Sequence, residues 1–159
     1  MAFLLDSNIF IESRKNLPMD VWTTFWQRLS ELAMDGKVVS CIKVKEEIDN
    51  DYDELSSWIK TNVPDGFFLP LDSDDMTAYA MLQNWAAGRD FTDGARADFA
   101  SKTDAFIIAK ALAKGMTLVT FEKSNPQRKS RVMIPDACAA VGADCCDLNA
   151  MLRALGITI

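Results

Sequence analysis

The first eight residues constrain the fold more than any other stretch, because an apolar run leads directly into three polar side chains. Phe3, Leu4 and Leu5 have the composition of a buried strand, and Asp6-Ser7-Asn8 follow at once. Apolar strands without alternation are typical of parallel sheets covered by helices on both faces, where functional groups gather at the carboxyl ends of the strands. The pattern therefore predicts a carboxylate, Asp6, at the end of a buried strand.

A simpler interpretation gives the same three polar residues a structural role. Asp, Ser and Asn side chains all accept hydrogen bonds from the first N–H groups of a helix. The apolar residues that resume at Ile9 are consistent with such a helix. The choice between a functional carboxylate and a helix cap therefore depends on what the rest of the chain places nearby.

Short apolar stretches and amphipathic stretches alternate along the rest of the chain. Strands are predicted at residues 38–42, 67–71, 116–121 and 132–134. Helices are predicted at residues 9–15, from Val21 to a stop at Gly36, at 49–62, 74–87 and 104–114, and in two short segments that start at Pro135 and Asp147. Residues 88–102 fit either a loop or a short helix. This order predicts one domain, residues 1–159, with a three-layer α/β/α architecture and a mainly parallel central sheet.

The composition limits the chemistry that the chain can perform. A net charge of −6 and a pI near 4.6 count against a simple nucleic-acid-binding protein. The absence of histidine removes the usual general base and the commonest zinc ligand. The four cysteines lack the paired spacing of a zinc site and are predicted to be reduced, with a redox pair at Cys145 and Cys146 as the alternative. No stretch has the length of a signal peptide or a membrane span, which favours a cytoplasmic protein.

Four acidic residues occupy equivalent places in the predicted elements. Asp6 follows the first strand, and Glu47 opens the helical segment after the second. Asp104 lies in the first turn of the central helix, and Glu122 ends the strand behind that helix. In a parallel sheet these carboxylates would meet at one edge and repel one another. A hard divalent cation, Mg²⁺ or Mn²⁺, would relieve the repulsion and leave positions for a phosphate oxygen and a water molecule.

Each acid also has a structural alternative. Asp104 fits a helix-start residue, Glu47 fits a solvated helix face beside Glu46, and Glu122 fits a loop charge. Asp98 is a further candidate for the same site. The joint order and placement of the acids favour Asp6 and Asp104 most strongly as members of a site.

These stretches resemble the PIN-domain ribonucleases, a family that includes bacterial VapC-like toxins. The resemblance rests on four segments: Leu4-Leu5-Asp6-Ser7-Asn8, Val44-Lys45-Glu46-Glu47-Ile48, Thr103-Asp104-Ala105-Phe106-Ile107-Ile108-Ala109 and Leu118-Val119-Thr120-Phe121-Glu122. It implies a PIN-like fold in which the catalytic, metal-binding acids are Asp6, Glu47, Asp104 and Glu122, with Asn8 and Thr120 as polar supports. Glu122 departs from the family, which more often has Asp there. Residues 134–136 and 149–153 are similar to a less studied PIN-like branch.

The resemblance implies a metal-dependent endoribonuclease that hydrolyses RNA phosphodiester bonds by in-line attack of water. It further implies the toxin of a toxin–antitoxin pair, with Mg²⁺ or Mn²⁺ as cofactor and RNA and an antitoxin as partners, and it leaves a homodimer open. An Arg or Lys of the antitoxin would pair with the acids when metal is absent. A basic loop, residues 123–131, is predicted to bind RNA phosphates through Arg128, Lys129 and Arg131. A loop kept basic for solubility is the alternative.

Two other functions fit parts of the sequence. The segment Asp6-Ser7-Asn8 is similar to the nucleophile segment of haloacid-dehalogenase-like phosphatases, but Asn8 cannot act as the acid that this chemistry needs two residues after the nucleophile. A PIN-like domain kept as a binding or regulatory module is the second. Trp22 and Trp26 lie at helical spacing and are predicted to pack in the core or an interface rather than to stack on bases.

Overall fold

A computed structural model describes residues 1–159, in which five strands and nine helices alternate. The elements in chain order are β1 (Phe3–Leu5), α1 (Ser7–Asn16), α2 (Thr23–Met34), β2 (Val38–Cys41), α3 (Ile42–Asp51), α4 (Asp53–Asn62), β3 (Phe68–Leu69), α5 (Ser73–Ala87), α6 (Asp93–Ser101), α7 (Thr103–Lys114), β4 (Thr117–Val119), α8 (Ile134–Val141), β5 (Cys145–Cys146) and α9 (Leu148–Ala154). The helices flank a single central sheet.

All five strands of the sheet are parallel, in the order β3-β2-β1-β4-β5. The central strand is β1, in which Leu4 pairs with Val39 of β2 on one side and with Leu118 of β4 on the other. Leu4 and Leu5 are fully buried, as expected for a strand covered by helices on both faces. The predicted three-layer α/β/α architecture is confirmed, and Asp6 follows its central strand.

The most extensive helix pair is formed by α5 and α7. A capping box between Asp72 and Asp75 begins α5, each side chain accepting a hydrogen bond from the backbone N–H of the other residue. Gly115 ends α7 with a φ of 64°, a left-handed conformation that glycine adopts without strain. Along its length, α7 buries a continuous apolar face that includes Ile107 and Ile108.

The second helix begins later than predicted. Its first residue is Thr23, because the backbone N–H groups of Val21 and Trp22 both bond to the carbonyl of Pro18 and close a turn before the helix. Trp22 is 44% exposed, so of its two predicted positions, core or interface, the core is wrong. Trp26 is buried, packs its ring edge-to-face on Phe25 and Trp58, and donates its indole N–H to the carbonyl of Leu17. Its predicted place in the core is confirmed.

Three other elements differ from the prediction. The helix after β2 starts immediately at Ile42, so Glu47 lies in its middle rather than at its opening. The segment predicted as a strand at residues 132–134 instead leads into α8, whose first residue is Ile134. A fifth strand, Cys145–Cys146, was not predicted. Residues 88–102, predicted as a loop or a short helix, contain helix α6, in which the Thr92 hydroxyl accepts the N–H of Ala95.

The four cysteines form no disulfide. None of the helices combines the length and apolarity that crossing a membrane requires.

Candidate functional site

A cleft of about 730 Å³ opens where β1 and β4 end. Seventeen residues line it, most of them polar or charged. All four predicted acids are among them: Asp6, Glu47, Asp104 and Glu122. The structure therefore brings together carboxylates that the chain carries on separate elements. Asp6 follows β1, Glu47 lies on α3, Asp104 lies in the first turn of α7, and Glu122 follows β4.

Asp6 is both a helix cap and a member of the cleft. Its Oδ1 accepts a hydrogen bond from the backbone N–H of Ser7 at 2.8 Å and begins α1. Its Oδ2 accepts one from the hydroxyl of Thr120 at 2.9 Å. The residue is only 1% exposed, and burial raises its pKa from 3.8 to about 8. The negative charge of Asp104 adds to this rise, and the hydrogen bond from Thr120 opposes it.

A small hydrogen-bond network surrounds the Thr120 hydroxyl. Asn8 donates to it from Nδ2 at 3.1 Å, and the backbone N–H of Glu122 donates to it at 3.1 Å. The backbone N–H of Phe121 in turn donates to the amide oxygen of Asn8 at 3.2 Å. These bonds join the start of α1 to the segment after β4. They hold Thr120 in the position from which it contacts Asp6, which is the supporting geometry that the sequence resemblance implies for Asn8 and Thr120.

Glu47 and Asp104 face the cleft with fewer partners than Asp6. The Glu47 atom Oε2 is buried and has no hydrogen-bond donor in contact with it. Burial raises the pKa of Glu47 and that of Asp104 above their ordinary values. For Asp104 the positive charge and hydrogen bond of Arg131 oppose that rise. An unpartnered buried carboxylate oxygen costs free energy unless a donor or a cation reaches it.

Glu122 is held by the protein through both of its carboxylate oxygens. Its Oε1 accepts the backbone N–H of Ile134 at 3.0 Å, and its Oε2 accepts Nη2 of Arg131 at 2.7 Å. The side chain is 10% exposed, and burial raises the pKa of Glu122 while the Ile134 hydrogen bond opposes the rise. The same Nη2 of Arg131 lies 3.5 Å from Oδ2 of Asp104. Arg131 therefore contacts two of the four acids.

The other residues of the basic loop take different positions. Arg128 lines the cleft and contacts Ser130 through Nε at 3.3 Å. Lys129 does not line it, although its carbonyl accepts the backbone N–H of Thr92. Asp98 lines the cleft and forms an exposed ion pair with Lys102 at 3.5 Å.

The cleft residues that the sequence analysis did not single out include a cation and an aromatic ring. Lys102, which precedes α7, adds a positive charge to the wall. Phe121 exposes 37% of its surface in the cleft between two polar residues. An aromatic residue at the end of a predicted strand, next to a candidate acid, was the available signal for Phe121.

The candidate ligands of the cleft have the chemistry that a hard divalent cation prefers, but their present positions do not form a complete binding site. All its candidate ligands are oxygen atoms, which Mg²⁺ and Mn²⁺ prefer. One of these oxygens, Oε2 of Glu47, is buried and accepts no hydrogen bond, so it is free to bind a cation. As the side chains stand, however, no three acidic or cysteine residues are placed to hold one ion. Asp6, Glu47 and Asp104 are the residues that would hold a cation, after their side chains turn toward one another.

Comparison with known proteins gives a family match and a similarity of fold. The family model described as "Domain of unknown function (DUF4411)" matches residues 3–159. A comparison with curated proteins finds no match. Among solved structures, the chain is similar to the crystal structure of VapBC2 from Rickettsia felis bound to a DNA fragment from their promoter, with a TM-score of 0.56 and 15% sequence identity. The similarity covers 92% of this chain and 98% of that chain, and at this identity it concerns the fold alone.

Proposed function

The chain belongs to the family described as a domain of unknown function, DUF4411, and we propose that it is a metal-dependent endoribonuclease and the toxin of a toxin–antitoxin pair. One observation carries the proposal. Asp6, Glu47 and Asp104 come from three different elements and line one cleft at the carboxyl edge of a parallel sheet. Clustered carboxylates with raised pKa values are costly for stability and are typical of sites arranged for function.

The likeness of fold supports the toxin part of the proposal. The similar solved structure is an assembly named VapBC2, and the sequence segments around the acids resemble VapC-like toxins. The fold, the order of the segments and the acidic cleft therefore support the proposal of a PIN-like nuclease. The antitoxin partner and the RNA substrate are proposed for this chain on the same grounds.

Different residues of the cleft have different roles in the proposed reaction. Asp6, Glu47 and Asp104 would hold Mg²⁺ or Mn²⁺, which when bound supplies Lewis-acid activation of the phosphodiester and of water. Thr120 fixes one oxygen of Asp6, and Asn8 fixes Thr120. Because the chain has no histidine, carboxylates are the groups in the cleft that can accept a proton from water.

The positive and aromatic side chains of the cleft are suited to the polynucleotide itself. Arg128, Arg131 and Lys102 line the same cleft as the acids and would contact RNA phosphates. Phe121 presents an apolar ring beside the acids, and single-stranded RNA offers unstacked bases that pack on such rings. We therefore expect a single-stranded segment, rather than an intact duplex, to enter the cleft.

The test is RNA cleavage by the purified protein. We expect single-stranded RNA to be cut with Mg²⁺ or Mn²⁺ and left intact with chelator, and Asp6→Asn and Asp104→Asn to abolish the cleavage. Asp93→Asn, which changes an exposed acid in the first turn of α6, is the matched control and should cut like the parent. Cleavage that survives Asp104→Asn would reject the assignment of the site. Metal binding without any cleavage would instead favour the binding or regulatory module.

The partner is tested through the neighbouring reading frame. A toxin should slow growth when expressed alone, and co-expression of a small protein encoded beside it should restore growth and yield a stable complex. We expect an Arg or Lys of that partner to lie against the acids in the complex. A structure of the complex with no partner residue near Asp6 or Asp104 would contradict this part of the proposal.

A further inference from the structure

Arg131 is the one cation that forms an ion pair with any of the four predicted acids, Asp6, Glu47, Asp104 and Glu122. A single nitrogen, Nη2, makes both contacts, at 2.7 Å to Glu122 and 3.5 Å to Asp104. The side chain remains 46% exposed, and its Nη1 and Nε atoms form no hydrogen bond with the protein. A guanidinium carries five N–H donors, so most of its donors face the cleft without a partner.

The two carboxylates hold Arg131 with different strength. Glu122 is fixed from behind by the backbone N–H of Ile134 at 3.0 Å, and its contact with Arg131 is short. Asp104 contacts Arg131 only at the limit of hydrogen-bond distance. Asp104 is therefore the carboxylate that Arg131 can release at least cost, and Glu122 is the one that keeps the guanidinium in place.

From this geometry we infer that Glu122 is a positioning residue for Arg131 rather than a metal ligand, and that Arg131 exchanges Asp104 for an RNA phosphate when metal binds. The inference rests on the proposed function. Oε2 of Glu122 already contacts the guanidinium of Arg131 at 2.7 Å, and that cation would repel a metal ion bound to the same carboxylate. The two donors that hold Asp6, the Ser7 N–H and the Thr120 hydroxyl, are neutral. Arg131 kept at Glu122 presents its free donors in the fork geometry that matches a phosphate group.

The exchange has a thermodynamic consequence. In the metal-free protein Asp104 is shared with Arg131, so a metal ion must compete with the guanidinium for it. Once the metal holds Asp104, Arg131 is free to bind a phosphate. Metal and RNA should therefore strengthen each other's binding, and by linkage the effect must be equal in both directions.

Mn²⁺ affinity without RNA tests the first half of the inference. We expect Arg131→Gln to bind Mn²⁺ about two- to fivefold more tightly than the parent, the effect of removing a half-exposed competing ion pair. Arg128→Gln is the matched control, because it removes the same charge from the same cleft without breaking a carboxylate contact. Its gain should be clearly smaller at physiological ionic strength, where the charges are screened. Glu122→Gln should still bind Mn²⁺, whereas Asp104→Asn should not.

RNA affinity tests the second half. The probe is a labelled single-stranded RNA, measured with Mn²⁺ and with chelator directly after mixing, and a denaturing gel of each sample verifies that the probe is intact. The parent should bind the probe more tightly with Mn²⁺, and Arg131→Gln and Glu122→Gln should both lose most of that gain. Thermal melts check folding, and Glu122→Gln keeps an oxygen that can accept the N–H of Ile134.

The outcomes separate this inference from the proposed function. Loss of Mn²⁺ binding in Glu122→Gln equal to that in Asp104→Asn would make Glu122 a ligand and overturn the inference. Parent-like Mn²⁺ affinity and coupling in Arg131→Gln would overturn the exchange. Neither measurement requires cleavage, so a protein that shows the coupling but cuts no RNA would contradict only the proposed function. Absence of Mn²⁺ binding in the parent would reject the metal site and the exchange together.

Discussion

Thr120 donates a hydrogen bond to Asp6, with 2.9 Å between Oγ1 and Oδ2, although 114 residues of chain separate the two residues. The contact follows from the sheet register. Leu5 of β1 pairs with Val119 of β4. Asp6 and Thr120, the residues that follow this pair, therefore lie side by side. Strand pairing thus places a hydroxyl donor against the most buried acid of the cleft.

Removing that donor should change how the cleft binds metal. Because the Thr120 hydrogen bond lowers the pKa of Asp6, Thr120→Val should raise that pKa further and weaken Mn²⁺ binding near neutral pH. The pH at which binding reaches half its maximum should move upward. Calorimetric titrations between about pH 6 and pH 9 measure this shift.

The control for Thr120→Val is Thr117→Val, at the other end of the same strand. It should leave the pH dependence of binding unchanged. An unshifted profile in Thr120→Val would mean that its hydroxyl does not influence the charge of Asp6. Thr120→Val also removes the acceptor of the Asn8 amide and of the Glu122 N–H, so it should cost more stability than the ~1 kcal/mol typical of one hydrogen bond.

The positions of Asp6 and Asp104 could be predicted because strong local patterns surround them. An unbroken apolar run precedes Asp6, and α7 has a clear apolar face with Gly115 as its stop. Parallel pairing then brings strand ends together whatever the loops do. The fold class and the main acids were therefore accessible from the sequence.

The details that depend on loop paths were not accessible. Nothing in the local pattern indicated that α3 would begin directly after β2 and leave Glu47 in its middle. The two residues of β5 become a strand only by pairing with β4. The apolar pattern predicts a strand at Ile134, but in the structure this residue begins α8 and donates its N–H to Glu122. The contact of Arg131 with the acids likewise depends on how the loop folds back.

The metal-free protein should lose stability as pH rises. The pKa of Asp6 is about 8 in the folded protein against 3.8 ordinarily, so the native state keeps a proton that the unfolded chain releases in between. Unfolding free energy should therefore fall between about pH 4 and pH 8, by about 1.4 kcal/mol per pH unit for each such proton. Asp6→Asn should show a shallower slope in chelator. Urea unfolding across that pH range is the measurement.

Asp65→Asn, an exposed carboxylate in the turn before β3, controls for the loss of one charge. It should retain the parental slope. Equal slopes in Asp6→Asn and the parent would show that Asp6 is already ionised in the metal-free protein. Saturating Mg²⁺ should reduce the parental slope, because the ion favours the ionised carboxylates.

Asp104→Ala separates a site residue from a helix-start residue. A helix-start role predicts a loss of about 1 kcal/mol with or without metal. A place in a repelling cluster predicts that the metal-free variant matches or exceeds the parent, since Arg131 still has Glu122 as a partner. Metal should then stabilise the parent and leave the variant nearly unchanged.

Thermal melts of both proteins with chelator and with millimolar Mg²⁺ make the comparison. Asp93→Ala, the equivalent first-turn acid of α6, should gain from metal as the parent does. Equal stabilisation of Asp104→Ala and the parent would exclude Asp104 as a ligand.

Within the basic loop, Arg128 should contribute more to RNA binding than the adjacent Lys129. Arg128 lines the cleft and Lys129 does not. Arg128→Gln should therefore reduce the slope of log K against log salt by about 0.7 on single-stranded RNA, the value for one lost phosphate contact. Lys129→Gln should leave the slope unchanged. Filter binding over a salt series tests both, and an unchanged slope in Arg128→Gln would remove Arg128 from the RNA-binding surface.

A buried ion pair joins α7 to α5. Lys110 is 2% exposed, and its Nζ lies 2.6 Å from Oδ2 of Asp75, a fully buried carboxylate. The other oxygen of Asp75 has no hydrogen bond, and its nearest cation, Nζ of Lys114, is 3.8 Å away. Lys110→Met would thus leave a charged carboxylate in the core with only the Asp72 N–H and the more distant Lys114 as partners.

We expect Lys110→Met to lose about 3–5 kcal/mol of unfolding free energy, the usual cost of removing one partner of a buried pair. The double variant Asp75→Asn/Lys110→Met should recover most of that loss, because Asn can still accept the N–H of Asp72 without carrying charge. Lys114→Met, whose ion pair with Asp72 is more exposed, should lose much less. Urea unfolding of the four proteins gives the comparison. Since α7 also carries Asp104, Mn²⁺ binding by the double variant decides whether the pair only stabilises the helix or also sets the position of its first turn. Parental affinity would confine Lys110 to stability, and a small loss in Lys110→Met would contradict the ion pair itself.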